Sequence, residues 1–271
     1  MQIVRPKKPR WLLVSLVLAA VSLAAFIGLA TWRLWDPGRA AGLVFGIAAA
    51  LIFTIELLYP LRRRLLGFPF GSAQRWMQFH VYGGLLASLF VLIHAGLRWP
   101  SGTMGWLLVL LVFWVMISGL AGVWLQKWIP ALMSSGLRVE ALIERIPEHL
   151  AKLQEEAEGL ASGSSEILER FYGEKIRPAM AAIMPSWSYL VDVRSGRDRR
   201  LDPFARLAPF LSADERPRLD DLKAILTDKL ELDAQYSLQR ILRLWTVFHV
   251  PPSTVLYGLM LFHIGMSLYY M

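Results

Sequence analysis

The feature that most constrains the fold of this 271-residue chain is a set of five long apolar stretches. Each is about as long as the ~20 residues that a helix needs to cross the hydrocarbon core of a bilayer. Because lipid offers the backbone no hydrogen-bond partner, such stretches are expected to form helices. The sequence therefore predicts an all-α integral membrane protein with five transmembrane helices, at Trp11–Leu29, Ala41–Tyr59, Trp76–Trp99, Trp106–Leu125 and Leu244–Tyr269.

Four of the five histidines form two pairs with the same spacing. His80 and His94 lie fourteen residues apart in the third stretch, and His249 and His263 lie fourteen residues apart in the fifth. Fourteen steps bring an α-helix back to within about 40° of the same face after a rise of ~21 Å. Each helix therefore presents two imidazoles on one face, at two depths in the membrane. If the two helices run in the same direction, His80 pairs with His249, and His94 pairs with His263.

Two imidazoles that face each other can hold a haem iron from both sides. The two levels therefore predict two haem b groups, held without covalent attachment by His80 with His249 and by His94 with His263. The chain contains no cysteine, which excludes thiolate-ligated iron–sulfur clusters, covalently attached haem and disulfides. Two histidine ligands leave no open position on the iron, and this favours electron transfer. Histidines that serve only packing, or proton relays in a transporter or sensor, are the alternatives.

Several cationic and small residues lie close to these histidines in the sequence. Arg75, Arg98 and Arg243 are placed to contact haem propionates, although a snorkelling arginine would occupy the same positions. Gly83 and Gly84 lie between the histidines of the third stretch, where small residues admit either a macrocycle or a neighbouring helix. These five residues are predicted as additional cofactor-binding positions.

Glu56 is the one acidic residue inside a predicted span. An ionisable side chain in a membrane helix is a candidate functional group, and Glu56 is expected near the cytoplasmic end of the second helix. It is a candidate for proton uptake or release beside a quinone. The alternative is an ion pair with Arg62 or Arg63 at the membrane surface.

Pro251 and Pro252 follow His249 directly in the fifth stretch. Neither proline has a backbone N–H, so the helix is expected to bend there. Their position in lipid requires local compensation for the lost hydrogen bonds.

The distribution of positive charge predicts the orientation in the membrane. Arginine and lysine accumulate on the cytoplasmic side of membrane proteins. The N-terminal tail and the second loop carry eight such residues and the first and third loops carry three: Arg5, Lys7, Lys8, Arg10, Arg62, Arg63, Arg64 and Arg75 against Arg33, Arg39 and Arg98. The N-terminus is therefore expected in the cytoplasm and the C-terminus in the periplasm of a bacterial inner (cytoplasmic) membrane.

The chain divides into three predicted regions. Residues 1–128 form the membrane domain with helices one to four, residues 129–243 form a cytoplasmic helical insert, and residues 244–271 form the fifth transmembrane helix. The insert contains 17 Lys and Arg against 19 Asp and Glu, a net charge of −2, whereas the whole chain carries +8. The positive excess therefore belongs to the membrane part and its flanks, which argues against nucleic acid as a partner.

The insert contains two predicted helical segments and a loop. An apolar stripe, interrupted by Pro147, marks the first segment; its residues are Leu137, Val139, Leu142, Ile143, Ile146, Leu150 and Leu153. The second segment begins near Pro217 or Leu219 and leads toward the fifth transmembrane helix. The charged stretch Ser195–Asp202 is predicted as a loop. The sequence leaves open whether the insert folds as a small domain or lies on the membrane or a partner.

The two histidine-bearing segments, HVYGGLLASLFVLIH and HVPPSTVLYGLMLFH, resemble the ligand helices of dihaem b-type membrane cytochromes. That group includes cytochrome b of the bc complexes and the membrane domains of ferric reductases and NADPH oxidases. The resemblance covers the membrane part only, and the insert matches neither kind. It implies a dihaem four-helix bundle formed by helices two to five, with ligands on its second and fourth helices.

The resemblance also implies a function. Single electrons would pass across the bilayer between a quinone or a cytoplasmic redox partner and an outer-side partner such as a c-type cytochrome. The chain would then act as an electron-transfer subunit of a larger oxidoreductase complex, for example a quinol oxidoreductase. A transmembrane ferric or metal reductase and a haem-bearing membrane anchor with a structural role are the alternatives.

Overall fold

The computed structural model describes residues 10–64, 72–136 and 142–270, and within these ranges it contains helices and no strands. Helix makes up 82% of the structure, which confirms the predicted all-α fold. In the described ranges, five helices are long and apolar enough to cross a membrane: α1 (Arg10–Thr31), α2 (Ala40–Arg64), α3 (Ala73–His94), α4 (Thr103–Gly136) and α9 (Arg216–Tyr269). The predicted tail cations Arg5, Lys7 and Lys8 and the stripe residues Leu137 and Val139 lie outside the described residues.

Helix α3 is shorter at its C-terminal end than the sequence predicted. It ends at His94 instead of Trp99, because the chain turns through Gly96 and Leu97 with φ angles of 71° and 51°. Gly96 also provides room for an aromatic neighbour, since a Cβ atom there would lie 3.2 Å from the indole nitrogen of Trp35. His94 is therefore the last residue of its helix.

Helix α9 is a single helix of 54 residues and contains both Pro251 and Pro252. The predicted second insert helix and the predicted fifth span are thus parts of one element. Pro252 cannot donate a hydrogen bond to the carbonyl oxygen of Phe248, four residues earlier. The indole N–H of Trp114 on α4 donates to that oxygen instead, at 2.8 Å. This bond compensates for the hydrogen bond that the proline removes.

The chain forms two compact units, and the first consists of Met1–Val123 and Thr246–Met271. In this unit α1 and α2 pack against α3. Edge-to-face contacts between aromatic rings occur at these interfaces, with Phe26 and Trp35 at 4.8 Å and Phe45 and Phe90 at 5.4 Å between ring centroids. Many large apolar side chains are exposed along the helices, as expected of helices that face lipid.

In its described residues the second unit, Trp124–Trp245, contains four helices and three short helical turns besides the ends of α4 and α9. Helices α5 (Ile146–Ala161), α6 (Glu166–Phe171), α7 (Arg177–Met180) and α8 (Arg197–Leu207) are joined by a π-helical turn at Tyr172–Ile176 and by two 3-10 turns, at Trp187–Leu190 and Ala208–Phe210. The main apolar core joins four of these helices to α9 and includes Ala157, Leu168, Ile176, Met180, Phe204, Leu222 and Leu226. This unit therefore has a hydrophobic core of its own.

Two details of the insert differ from the sequence-based expectation. Pro147 lies in the first turn of α5, where the missing N–H has no helical partner to lose, so it begins a helix instead of interrupting one. The stretch predicted as a loop, Ser195–Asp202, mostly belongs to α8. That helix is stabilised by tertiary packing, because Phe204 is buried in the main core of the unit. The many charged residues of this stretch made its apolar face unrecognisable in the sequence.

A charged network is buried beside this core. The Lys229 ammonium donates to the Asp233 carboxylate at 2.9 Å, and both side chains are fully buried. Asp233 also accepts a hydrogen bond from the backbone N–H of Met184 at 2.9 Å, and Arg200 lies 3.7 Å from the same carboxylate. Asp233 thus joins α9 to the segment that follows α7 and to α8.

Candidate functional site

The first unit brings the four histidines of α3 and α9 together as two facing pairs. The ring centroids of His80 and His249 lie 6.3 Å apart, and the ring planes are nearly perpendicular, at 88°. The ring centroids of His94 and His263 lie 6.5 Å apart, with an angle of 72° between the planes. Each pair takes one imidazole from each helix, and the members are those that occupy like positions along the two helices.

The Nδ1 atom of His249 contacts the small-residue face of α4. It lies 2.9 Å from the hydroxyl oxygen of Ser118. Since that hydroxyl donates its hydrogen to the carbonyl oxygen of Val115 at 3.2 Å, it can accept one from Nδ1. Gly119 makes this approach possible, because a Cβ atom there would lie 3.3 Å from Cε1 of His249. In this arrangement the proton resides on Nδ1 and the lone pair on Nε2.

His94 is held by the backbone of α2. Its Nδ1 atom lies 2.9 Å from the carbonyl oxygen of Gly42. A carbonyl oxygen can only accept, so the proton resides on Nδ1 and the lone pair on Nε2. One turn further along α2, a Cβ atom at Gly46 would lie 3.0 Å from the same nitrogen. The glycine pair therefore allows the ring to lie against α2.

His80 faces the carboxyl group of Glu56. Its Nδ1 atom lies 3.7 Å from Oε2 of Glu56, a side chain that is largely buried between α2 and α3. Gly83 and Gly84 form the notch that admits this group, since Cβ atoms there would lie 3.0 Å and 3.3 Å from Oε1 of Glu56. Oε1 itself is buried and has no hydrogen-bond partner in the described part of the chain. The two glycines predicted to admit a macrocycle thus contact a carboxyl group in this structure.

The three predicted arginines are all exposed. Arg75 lies exposed in the first turn of α3, and Arg98 lies exposed in the turn that follows the same helix. Arg243 belongs to the second unit, where its guanidinium forms an ion pair with the Glu144 carboxylate. The side chains of Arg62 and Arg63, the alternative partners of Glu56, lie outside the described residues.

Sequence reasoning did not single out the groups that contact Nδ1 of His94 and His249. Ser118 and Gly119 lie on α4, and Gly42 and Gly46 lie on α2, two helices without a predicted ligand. The sequence contains one indication of the two glycines on α2, because Gly42 and Gly46 form the G-x-x-x-G spacing that lets membrane helices approach closely. No comparable signal marked the carbonyl oxygen that His94 uses.

The arrangement has the donor chemistry of a bis-imidazole metal site. No group of three or more His, Cys, Asp or Glu side chains that could hold a bare metal ion occurs among the described residues. A haem iron needs only two axial protein ligands, since the macrocycle supplies the other four. Two metal–imidazole bonds of about 2.0–2.1 Å, with about 1.2 Å from each nitrogen to its ring centroid, place facing rings ~6.4 Å apart. The centroid distances of 6.3 and 6.5 Å match this value.

A second requirement of such ligands is that the outer nitrogen be hydrogen-bonded. Histidines that bind metals usually donate their second N–H to a carboxylate, a carbonyl or a water. His94 has a carbonyl oxygen at Nδ1, His249 has the Ser118 hydroxyl oxygen there instead, and His80 has a carboxyl group nearby. Comparison of the chain with protein-family models, with curated proteins and with solved structures finds no match in any of the three.

Proposed function

We propose that this protein is a dihaem b-type membrane cytochrome that transfers single electrons across a bilayer. The proposal is supported by two pairs of facing imidazoles, His80 with His249 and His94 with His263. The distance between ring centroids in each pair is the distance expected for two imidazoles that hold one haem iron. The two levels are separated along each helix by ~21 Å of helical rise. Two haem b groups bound there would supply one-electron carriage between the two sides of the membrane.

The residues of the chain would perform three tasks in this function. The histidines would hold the irons through Nε2, because Nδ1 of His94 and His249 is engaged by Gly42 and Ser118. The helices would separate both levels from water. Arg75 and Arg98 remain candidates for propionate contacts, and Arg243 would have to exchange its partner Glu144 for that role.

The predicted orientation places the His80–His249 level near the cytoplasmic side. A quinone or a cytoplasmic redox subunit is proposed as the partner at that level, and a c-type cytochrome is proposed at the outer level. Glu56 lies beside His80 and is the candidate group for moving a proton when a quinone reacts there. The insert is proposed to lie in the cytoplasm, in a bacterial inner membrane, with other subunits of a redox complex.

The test is the reduced-minus-oxidised absorption spectrum of the purified protein, together with the amount of haem per chain from its pyridine haemochrome. Two haems b per chain are expected. His80→Ala and His249→Ala should remove the same haem, the one at their shared level. His94→Ala should remove the haem at the other level. His149→Ala is the matched control, because this fifth histidine lies on α5 in the second unit and should leave both haems in place.

A folded, haem-free preparation would overturn the proposal. The buried contact between Glu56 and His80 would then favour a proton relay in a transporter or sensor. A haem protein whose outer haem is oxidised directly by chelated ferric iron would instead indicate a transmembrane metal reductase.

A further inference from the structure

The second unit exposes large apolar side chains at one short turn. In the 3-10 turn Trp187–Leu190, Tyr189 is buried, whereas Trp187 is 66% exposed. Val191, the residue that follows the turn, is 83% exposed. Tyr189 and Leu190 pack against Ile129 of α4 and Leu238 of α9, so the turn itself is anchored. Trp187 and Val191 are therefore held outward by a fixed segment.

The turn is attached to the end of a candidate membrane span. The indole N–H of Trp128 on α4 donates to the carbonyl oxygen of Leu190 at 2.8 Å. Trp124, one turn earlier on α4, stacks on Trp128 with 5.8 Å between ring centroids. Paired tryptophans at the end of a spanning helix are typical of the membrane–water interface. The exposed turn thus lies beside residues that belong at the level of the lipid headgroups.

A short arginine-rich stretch, residues 194–200, follows the turn and Asp192, although the insert as a whole is not positively charged. Arg194, Arg197, Arg199 and Arg200 surround a single acid, Asp198, whereas residues 129–243 carry a net charge of −2. Arg200 lies near the buried Asp233 carboxylate. Within the described ranges, Arg194, Arg197 and Arg199 take part in no ion pair. Three arginines are therefore available to an anionic surface.

A cleft beside Trp187 has the same mixed character. Its volume is about 270 Å³, and its lining includes the apolar Pro185, Ile241 and Leu244 and the cationic Arg240. Apolar walls with one cation suit a lipid, in which acyl carbon and phosphate are adjacent. Trp187 forms one side of this cleft.

We propose that Trp187 and Val191 insert into the headgroup layer of the membrane, and that Arg194, Arg197 and Arg199 bind acidic phospholipids there. The occupant of this face is thus the anionic surface of the bilayer that α4 crosses. Exposed apolar side chains together with arginines form the two-signal combination of peripheral membrane contacts. The inference is independent of the haem proposal, since it depends only on the second unit and the end of α4.

Because the chain has no cysteine, a single spin label can report the depth of the turn in the full-length protein. Val191→Cys places the label in the proposed contact, and Phe210→Cys places it at a comparably exposed apolar position, 75% exposed, in the other 3-10 turn. In nanodiscs that contain acidic lipid, the Val191 label should be accessible to oxygen and protected from a water-soluble nickel chelate. The Phe210 label should show the reverse.

Two further variants test the contributions of the side chains. In the Val191→Cys background, Trp187→Ser should raise the accessibility of the label to the nickel chelate several-fold. The combined change of Arg194, Arg197 and Arg199 to Gln should act in the same direction, as should nanodiscs of purely zwitterionic lipid. Since Trp187, Arg194 and Arg199 are exposed and Arg197 is only half-buried, helical content should not change.

Three outcomes would overturn the proposal. A Val191 label as accessible to nickel as the Phe210 label would show that the turn faces water, or awaits a protein partner. Lipid exposure at both positions would show general immersion of the unit instead of contact through this turn. If the Val191 label is exposed to lipid whether or not the arginines and the acidic lipid are present, the assignment to acidic phospholipids is wrong.

Discussion

The carboxyl group of Glu56 lies 3.7 Å from Nδ1 of His80, in a notch that Gly83 and Gly84 leave open on α3. A carboxylate that accepts the second N–H of a ligand histidine increases the electron donation of the imidazole to the metal and orients its ring. At 3.7 Å, Glu56 lies just beyond hydrogen-bond distance. His249 has the Ser118 hydroxyl oxygen at its Nδ1 atom, and His94 has the Gly42 carbonyl oxygen there. The two proposed haem levels therefore differ in the groups behind their ligands.

Replacing Glu56 should affect one haem and leave the other unchanged. Glu56→Gln retains the size of the side chain but removes the acid, so less electron density reaches the iron through His80. The midpoint potential of the haem at the His80–His249 level is expected to rise, and Glu56→Ala should weaken haem binding there roughly ten- to a hundredfold. A redox titration of the two haems measures this difference. Equal shifts at both levels, or none, would contradict a role for Glu56 in positioning His80.

Gly46 and Gly119 should each control one level by steric exclusion. A Cβ atom at Gly46 would lie 3.0 Å from Nδ1 of His94, and one at Gly119 would lie 3.3 Å from Cε1 of His249. Gly46→Leu is therefore expected to displace His94 and remove the haem at its level, and Gly119→Leu should remove the other. Gly28→Leu is the control, since nothing lies within 4 Å of its Cβ position on α1. Haem content per chain and the redox titration identify the level that is lost.

Trp114 should stabilise the first unit because Pro252 leaves the carbonyl oxygen of Phe248 without its helical donor. Trp114→Phe removes the indole N–H and is expected to cost roughly 0.6 kcal/mol of unfolding free energy, and at most about 1.7 kcal/mol, the average and the maximum measured for hydrogen bonds between membrane helices. Pro252→Ala restores a backbone N–H to that carbonyl oxygen. In this background Trp114→Phe should cost clearly less. Detergent-induced unfolding of the four proteins of this cycle gives the coupling, and strictly additive effects would show that the bond does not replace the missing one.

The buried ion pair of the second unit should matter far more than an exposed pair of the same geometry. Lys229 with Asp233 and Lys152 with Glu148 share the i,i+4 spacing and the 2.9 Å distance. Asp233→Ala leaves the ammonium of Lys229 buried without its carboxylate and is expected to destabilise the unit by about 3–5 kcal/mol. Glu148→Ala should have little measurable effect, because water solvates both partners. Urea-dependent proteolysis of the insert compares them, and similar midpoints would show that the buried charge is relieved by rearrangement.

Much of the helical framework could be predicted from the sequence, for reasons that are local. Length and apolar character mark α1 to α4 and the end of α9, because lipid permits only a hydrogen-bonded backbone. The errors arose where tertiary packing decides. Helix α8 replaces a predicted loop because Phe204 is buried in the core of its unit, and Pro147 begins α5 instead of interrupting it. The end of α3 at His94 depends on the turn through Gly96 and Leu97.

The positions of the histidines in the chain are enough to place His80 and His94 on one face of a helix, and His249 and His263 on one face of another. This follows from helical periodicity alone. The packing of the helices in three dimensions sets what lies behind three of the four rings: the Ser118 hydroxyl from α4, the Gly42 carbonyl oxygen from α2 and the Glu56 carboxyl group from α2. Those contacts depend on the rotation and separation of neighbouring helices, which small residues permit but do not specify. A backbone carbonyl group is present in every residue, so the amino-acid sequence does not show which one accepts the hydrogen bond.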